Sequence, residues 1–448
     1  MAEIAPFRGI LYTERAGDAS RLLAPPYDVI SPEERETLAA LDPHNAVRLI
    51  LPKDPSGGDS DEKYEQSARD LRAWLDEGAL ARDAAPAIYR YHQRFPDAAG
   101  KEVTRKGFIA RVRLRRFDEG VILPHERTLS GPKLDRLKLM RATRTHFSQV
   151  FGLYPDRERK TDELFEAVER TPPAIDVVTP DGVAQRLWRL TDSAAIRALA
   201  SLMAERKVYI ADGHHRYETM IALRDELSGA ARSPSSSVNY GAMFFCNMDD
   251  PGLVVFPTHR VLRALPGFNP HKLLEAAEPY FLVREVRTND RPEDRDMVRT
   301  ELAREGARGP SFAIAAQGWP NRVAILRLRP DLDLDGIAAM PRAPSLRVLD
   351  VTVLHAIVFE TILGIDRAAQ EKQTNLRYVK DWNQAIDEIS TNTDVQAIFF
   401  MNPTRVDQVK AVADAGEVMP QKSTFFFPKI ASALVINPID PEEEIDAV

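Results

Sequence analysis

The sequence predicts an α+β protein. Amphipathic helical periods and alternating strand patterns both recur along the chain, and neither dominates. Of 448 residues, 44% are apolar and 28% charged, the balance of an ordinary globular chain. That length is too great for one simple core, so two or three packed units are expected. A net charge of −7 gives no support to a general nucleic-acid-binding role. The single cysteine, Cys246, excludes an internal disulfide and a cysteine zinc cluster, and fits a reducing, cytoplasmic setting. The start, MAEIAPFRG, lacks a basic-then-apolar signal pattern. No apolar run nears the roughly 18 residues of a spanning helix, so no membrane partner is expected.

Three regions are expected: an N-terminal α/β region over 1–120, a core over 121–265 and a C-terminal α+β region over 266–448. In the first, FRGILYT is extended and the prolines of LAPPYDVISPEE forbid regular helix. SPEERETLAAL begins a helix, with Ser31 as N-cap and Pro32 in its first turn. DEKYEQSARDLRAWLDEGAL has a helical period. AIYRYHQRF and RKGFIARVRLRRF alternate like strands and can pair across PDAAG. In the second region, DSAAIRALASLMAER reads as a helix, and KVYIA, NYGAMFFCNM and GLVVFPTHR as strands. In the third, HKLLEAAEPY, VLDVTVLHAIVFETIL and RVDQVKAVADAG read as helices, the last closed by Gly416. SFAIAAQGWPNRVAILRL reads as a hairpin turning at 318–321, VQAIFFMNP as a strand, and PEEEIDAV as a loose end.

The stretch ADGHHRYE, 211–218, follows a strand and opens a helix. The first N–H groups of a helix have no intrahelical partner, and the dipole adds positive potential there, so a phosphate is favoured. Gly213 allows close backbone approach. Arg216 can offer a fork to phosphate oxygens. His214 and His215, about 100° apart on a helix, do not chelate one metal together and have different roles. Asp212 can hold Mg²⁺ or orient a histidine; alternatively it is an N-cap before surface histidines.

In LPHERT, Glu126 is flanked by His125, Arg127 and Thr128, and Lys133, Arg136, Lys138, Arg141 and Arg144 follow. Cations beside a carboxylate suit an anionic substrate, with Glu126 as general base and His125, Thr128, Lys133 and Arg136 as substrate contacts. A solvated charged helix has the same composition. In AGEVMPQKSTFFFPK, Lys422 can reach a phosphate and Ser423 or Thr424 can donate to it, although the glycines of a Walker A loop are absent. FPTHR adds His259 and Arg260 as further substrate candidates, whereas His355 is expected to pack in a helix. Tyr27 and Asp28 of APPYDVIS either line a site or belong to a rigid loop.

Together, ADGHHRY, the HERT…PK…DR block and GEVMPQKSTFF resemble a widespread microbial family of unassigned function, over essentially the whole chain. Three segments also resemble the ParB/sulfiredoxin-like free-serine kinases, which phosphorylate L-serine with ADP as donor. Pro124-His125-Glu126 matches a Pro-His-Glu whose Glu is the catalytic base. Asp212 to Arg216 matches an Asp-Gly-His-His-Arg at the nucleotide phosphates. Gly416-Glu417-Val418 with Pro420-Gln421-Lys422-Ser423-Thr424 matches Gly-Glu-Val followed by Pro-Lys-Thr-Thr. The order is the same. The spacing from Glu126 to Asp212 is longer, Gln421 is extra, and the first 120 residues have no counterpart.

The resemblance implies a ParB/sulfiredoxin-like catalytic core over 121–265, with the C-terminal region lending the KST segment. It implies Mg²⁺-dependent phosphoryl transfer from ADP or ATP to free L-serine or a similar small molecule. Glu126 would be the base, Asp212 and His215 would join it in catalysis, and Gly213, His214, Arg216, Lys422, Ser423 and Thr424 would hold phosphate. Two alternatives use the same residues: a CTP-type nucleotide switch without small-molecule chemistry, and a phosphoserine-type hydrolase.

Overall fold

The computed structural model describes every residue except 98, 99, 129, 230–232, 290 and 446–448. Helices and strands are mixed throughout, an α+β arrangement. Among the described residues, no helix is long and apolar enough to cross a membrane. The chain divides into two units: Met1–Pro124, Thr128–Val254 and Phe426–Val448 form the first, His125–Arg127 and Val255–Phe425 the second. This differs from three consecutive regions at 1–120, 121–265 and 266–448. Strands from the first 120 residues pair with later ones in a single sheet, so the N-terminal region is not a body of its own.

That sheet has nine strands. Its order is Ile122–Leu123, Val208–Asp212, Val150–Tyr154, Tyr240–Asn247, Glu102–Arg113, Ile88–Pro96, Ala184–Leu190, Ile175–Val178, and Ile4–Ala5 also pairs with 102–113. The 208–212 strand runs parallel to 122–123, and 240–247 runs parallel to 150–154; the other neighbours are antiparallel. The hairpin expected across PDAAG forms, in register from Tyr89 opposite Ile109 to Pro96 opposite Glu102; residues 98 and 99 of its connection lie outside the described residues. Phe108 stacks on Phe245 and Phe165, with centroids 5.1 and 5.6 Å apart. The helix Pro32–Leu41 begins with the Ser31 cap expected from its sequence, reciprocated by Glu34. The acidic end is held rather than loose up to the last described residue: Glu443 pairs with Arg111 at 2.9 Å and Arg82 at 2.8 Å, and Ile445 is buried.

The second unit is built on a six-stranded, fully antiparallel sheet: Phe281–Arg287, Arg322–Leu328, Ser311–Ala316, Val395–Met401, His259–Arg263, Leu376–Val379. The 311–328 hairpin turns as expected, with left-handed Gly318 and Asn321. GLVVFPTHR, expected as one strand, is interrupted at Pro257, which has no N–H to donate. VLDVTVLHAIVFETIL, expected as one helix, is a short α-turn, Asp350–Val353, running into a π-helix, Leu354–Ile362. Trp382 stacks on Phe400 at 4.0 Å in the core beneath.

Candidate functional site

The first unit holds the ADGHHR motif. The 208–212 strand ends at Asp212, Gly213 turns the chain at φ +92°, and the helix His214–Leu227 starts at once. That left-handed turn favours glycine, and a Cβ on Gly213 would sit 2.9 Å from Cζ of Arg216, whose guanidinium would have to shift. Arg216 is buried, and its guanidinium donates to the Asp212 carboxylate and to the Gln149 carbonyl. The second Asp212 oxygen accepts from Lys429. Burial opposes ionisation of Asp212, but Lys429, Arg216 and His214 outweigh it and hold the carboxyl well below its usual range.

Two expectations change here. Arg216 is engaged by protein acceptors rather than held as an open fork. Asp212 does not fit a metal ligand as placed, since each of its oxygens accepts from a cation. Among the described residues, no group of three or more His, Cys, Asp and Glu side chains is arranged to hold a metal. His214 is buried and His215 half-buried. Tyr27 is half-buried and feels the charges of Arg216 and Asp212, although burial is the main cause of its raised pKa.

Four of the cations after Glu126, namely Lys133, Arg136, Lys138 and Arg141, are taken up within the first unit. Lys133 donates to Glu218 at 2.6 Å and to Thr128 at 3.1 Å, and Thr128 donates to Glu218 at 2.7 Å. Arg136 is buried, donates to Asp135 and the Ile50 carbonyl, and covers the Tyr27 ring at 4.2 Å. Lys138 pairs with Asp61, and Arg141 with Glu226. Thr128, Lys133 and Arg136 therefore tie the helix Ser130–Thr143 to its neighbours, and the expected cationic substrate surface is replaced by ion pairs.

The second unit brings together His125-Glu126 and Lys422-Ser423-Thr424. His125 is buried, and its Nε2 lies 2.9 Å from the Thr424 hydroxyl. The Glu126 carboxylate accepts the Lys422 backbone N–H at 3.0 Å. Lys422 has φ +56°, and its side chain is exposed. Ser423 is buried and donates to the Pro420 carbonyl, so its hydroxyl shapes the loop. Arg260 is buried and donates to the Lys422 carbonyl at 3.1 Å, to the Thr258 carbonyl and to His355 Nε2 at 3.3 Å. Burial brings its guanidinium down to about 10.

His355 is buried as expected, and burial pushes its pKa down to about 3; its Nδ1 lies 2.7 Å from Gln370 Oε1. His259 is not placed as a substrate contact. It packs against Trp382 and Phe400, accepts the Met401 N–H at 3.1 Å, and burial pushes it to about 3. A cavity of about 450 Å³ adjoins the loop, lined by Arg127, Thr352, His355, Tyr378, Met419 and Pro420 among others. That volume suits a small ligand.

Lys429, Glu218 and Gln149 are absent from the candidates expected from sequence. Glu218 stands in the ADGHHRYE stretch itself, four residues after His214, where helical spacing puts it on the His214 face. Gln149 gives no local signal, because its carbonyl does the work.

Solved structures that match weakly include a conserved hypothetical protein from Pyrococcus furiosus, at 11% identity over 72% of this chain and 93% of that one, TM-score 0.35. A mutant free serine kinase in complex with ADP matches at 11% identity over 73% and 92%, TM-score 0.36. C-terminally truncated SbnI from Staphylococcus aureus matches at 10% over 75% and 90%, TM-score 0.34. No curated protein matches the sequence. The family of proteins of unknown function DUF1015 matches residues 4–352, more than half of the chain, and this protein belongs to it.

Proposed function

We propose that this protein is a phosphotransferase that moves a phosphoryl group from a nucleotide, ADP or ATP, to the hydroxyl of free L-serine or a similar small molecule. One observation carries the reading. Two motifs 296 positions apart meet in the second unit, where the Lys422 N–H donates to the Glu126 carboxylate. A carboxylate oriented by a backbone donor is suited to take a proton. As the hydroxyl oxygen bonds to phosphorus, the bond from phosphorus to the nucleotide's bridging oxygen breaks. The hydroxyl proton passes to Glu126, and the nucleotide leaves one phosphate shorter.

Positioning and charge neutralisation supply most of such a reaction. In the first unit, Asp212, Arg216 and Lys429 together carry one positive charge in excess, at the positive end of the 214–227 helix. That supports nucleotide phosphates binding there. No step is assigned to Mg²⁺, given the partners of Asp212. A ParB/sulfiredoxin-like core is part of the same proposal and rests on the three motifs and their order.

The test incubates the protein with L-serine, Mg²⁺ and ADP, ATP or CTP, and reads O-phosphoserine by mass spectrometry. Wild type is expected to form it with ADP or ATP. Glu126→Gln keeps an oxygen for the Lys422 N–H, and is expected to turn over about 10²-fold or more slower while holding nucleotide with near-equal affinity. Equal turnover in both proteins removes Glu126 as base. Phosphate release from phosphoserine without nucleotide would identify a hydrolase instead, and CTP binding without serine dependence a switch.

A further inference from the structure

Arg260 stands on the strand His259–Arg263, is 1% exposed, and donates from all three of its guanidinium nitrogens. Nη1 goes to the Thr258 carbonyl, Nη2 to the Lys422 carbonyl at 3.1 Å and Nε to His355 Nε2 at 3.3 Å. None of these acceptors is a carboxylate. Taking a guanidinium out of water is costly, and a packed apolar side chain would often fill such a place at less cost. A cation kept there points to a task beyond packing.

The bonds around Arg260 fix one arrangement of protons. An arginine only donates, so His355 Nε2 accepts and carries no hydrogen. The imidazole proton is then on Nδ1 and is donated to Gln370 Oε1 at 2.7 Å. Gln370 Nε2 donates in turn to the Ile365 carbonyl at 2.7 Å, which sets the orientation of the amide. All three of these bonds are buried. His355 stands on the π-helix Leu354–Ile362, a form found often at functional sites.

The other end of the chain of bonds reaches a carboxylate. Lys422 has φ +56°, a left-handed form that costs an L-residue energy and persists where neighbours hold it. Arg260 holds the Lys422 carbonyl, and the Lys422 N–H donates to Glu126 at 3.0 Å. Gln370, His355, Arg260, Lys422 and Glu126 are thus joined in that order by hydrogen bonds, all within the second unit.

We propose that Arg260 and His355 are positioning residues, which act through the Lys422 backbone to fix the Glu126 carboxylate where it takes the hydroxyl proton. The part of that carboxylate in turnover rests on the phosphotransferase reading; the way it is held does not. His355 fixes the guanidinium plane, and the guanidinium fixes the Lys422 carbonyl. Without the imidazole, Nε has no acceptor and the guanidinium is free to turn away from Lys422.

The full-length protein is compared with His355→Leu, which removes the acceptor, and with His355→Gln, whose Oε1 can accept from Arg260 in its place. Phosphoserine formation is followed at varied L-serine and nucleotide, and exchange of the Lys422 amide is followed by NMR. His355→Leu is expected to lower kcat about tenfold, with both KM values within about twofold of wild type. Its Lys422 amide is expected to exchange about tenfold faster. His355→Gln is expected to bring both quantities back to within about threefold of wild type. A purely structural role would lower the melting temperature and spare kcat well below it. A kcat loss under about threefold in a folded His355→Leu therefore overturns the proposal, as does a His355→Gln no faster than His355→Leu. If wild type forms no phosphoserine, the phosphotransferase reading fails and Lys422 exchange decides alone. Faster exchange in the Leu variant, restored in the Gln variant, supports the holding of Glu126; equal exchange in all three proteins overturns it. Should His355→Leu not fold, Gln370→Met makes the same comparison one bond farther out. Exchange at Lys422 is then expected to quicken about threefold, and unchanged exchange overturns the proposal.

Discussion

Two cations converge on one carboxylate at Asp212, and this sets what a single substitution does. The folded pKa lies below its value in an unfolded chain. The stabilisation is therefore fully present above about pH 4, and is lost as pH falls through the folded value. Asp212→Asn would leave Arg216 and Lys429 facing each other with no anion between them. Unfolding by urea at pH 7 is expected to show a loss of about 3–5 kcal/mol. The gap between variant and wild type is expected to narrow as the pH drops below about 4. A variant within about 1 kcal/mol of wild type at pH 7 would mean that solvent already screens the cluster. Asp212 and Arg216 were legible in the sequence because they stand four residues apart in one strand-to-helix motif. Lys429 was not, because 217 positions separate it from its partner, and nothing local to FFFPK announces a buried carboxylate. The Lys133, Arg136 and Arg141 series was misleading for a related reason. Composition shows the cations, whereas their carboxylates at 135, 218 and 226 become partners only when the helices 130–143 and 214–227 have folded.

At the level of elements, the joint between the 208–212 strand and the 214–227 helix depends on one glycine. A left-handed backbone costs an L-residue roughly 1–2 kcal/mol. In addition, a Cβ at Gly213 would crowd the Arg216 guanidinium. Gly213→Ala is expected to lower stability by about 2 kcal/mol or more, and to weaken nucleotide binding if the cluster holds phosphates. Unchanged melting and unchanged nucleotide affinity would show that the turn relaxes at little cost. This joint was readable, as were the capped helix Pro32–Leu41 and the 88–113 hairpin, because caps, glycines and alternation are local signals. The π-helix was not. Its apolar run has a helical period, and the shift to i→i−5 bonding, seen from the Leu363 N–H to the Val358 carbonyl at 2.9 Å, is decided by packing. The strand Ile122–Leu123 is too short for any pattern to mark.

The whole molecule is organised by an insertion. Residues 255–425 of the second unit interrupt a first unit assembled from the beginning, middle and end of the chain. Reading from one end to the other suggests consecutive regions, because composition barely changes at 254 or 425. The connectivity nevertheless has a consequence. The inserted stretch contains all six strands of its sheet and a core of its own, including Val261, Leu302, Ile325, Ile398 and Phe400. At about 170 residues it is long enough to bury most of its apolar surface. Expressed alone, 255–425 is expected to fold, with one cooperative melting transition and dispersed amide resonances. It lacks His125–Arg127, so the Glu126 contact to Lys422 is absent and the 417–424 loop is expected to exchange amide hydrogens faster than in the intact protein. A collapsed spectrum without a transition would mean that the insertion needs the rest of the chain to fold. A folded fragment with unchanged protection at Lys422 would mean that Glu126 does not hold the loop, which would also remove the contact from which its role as base was argued.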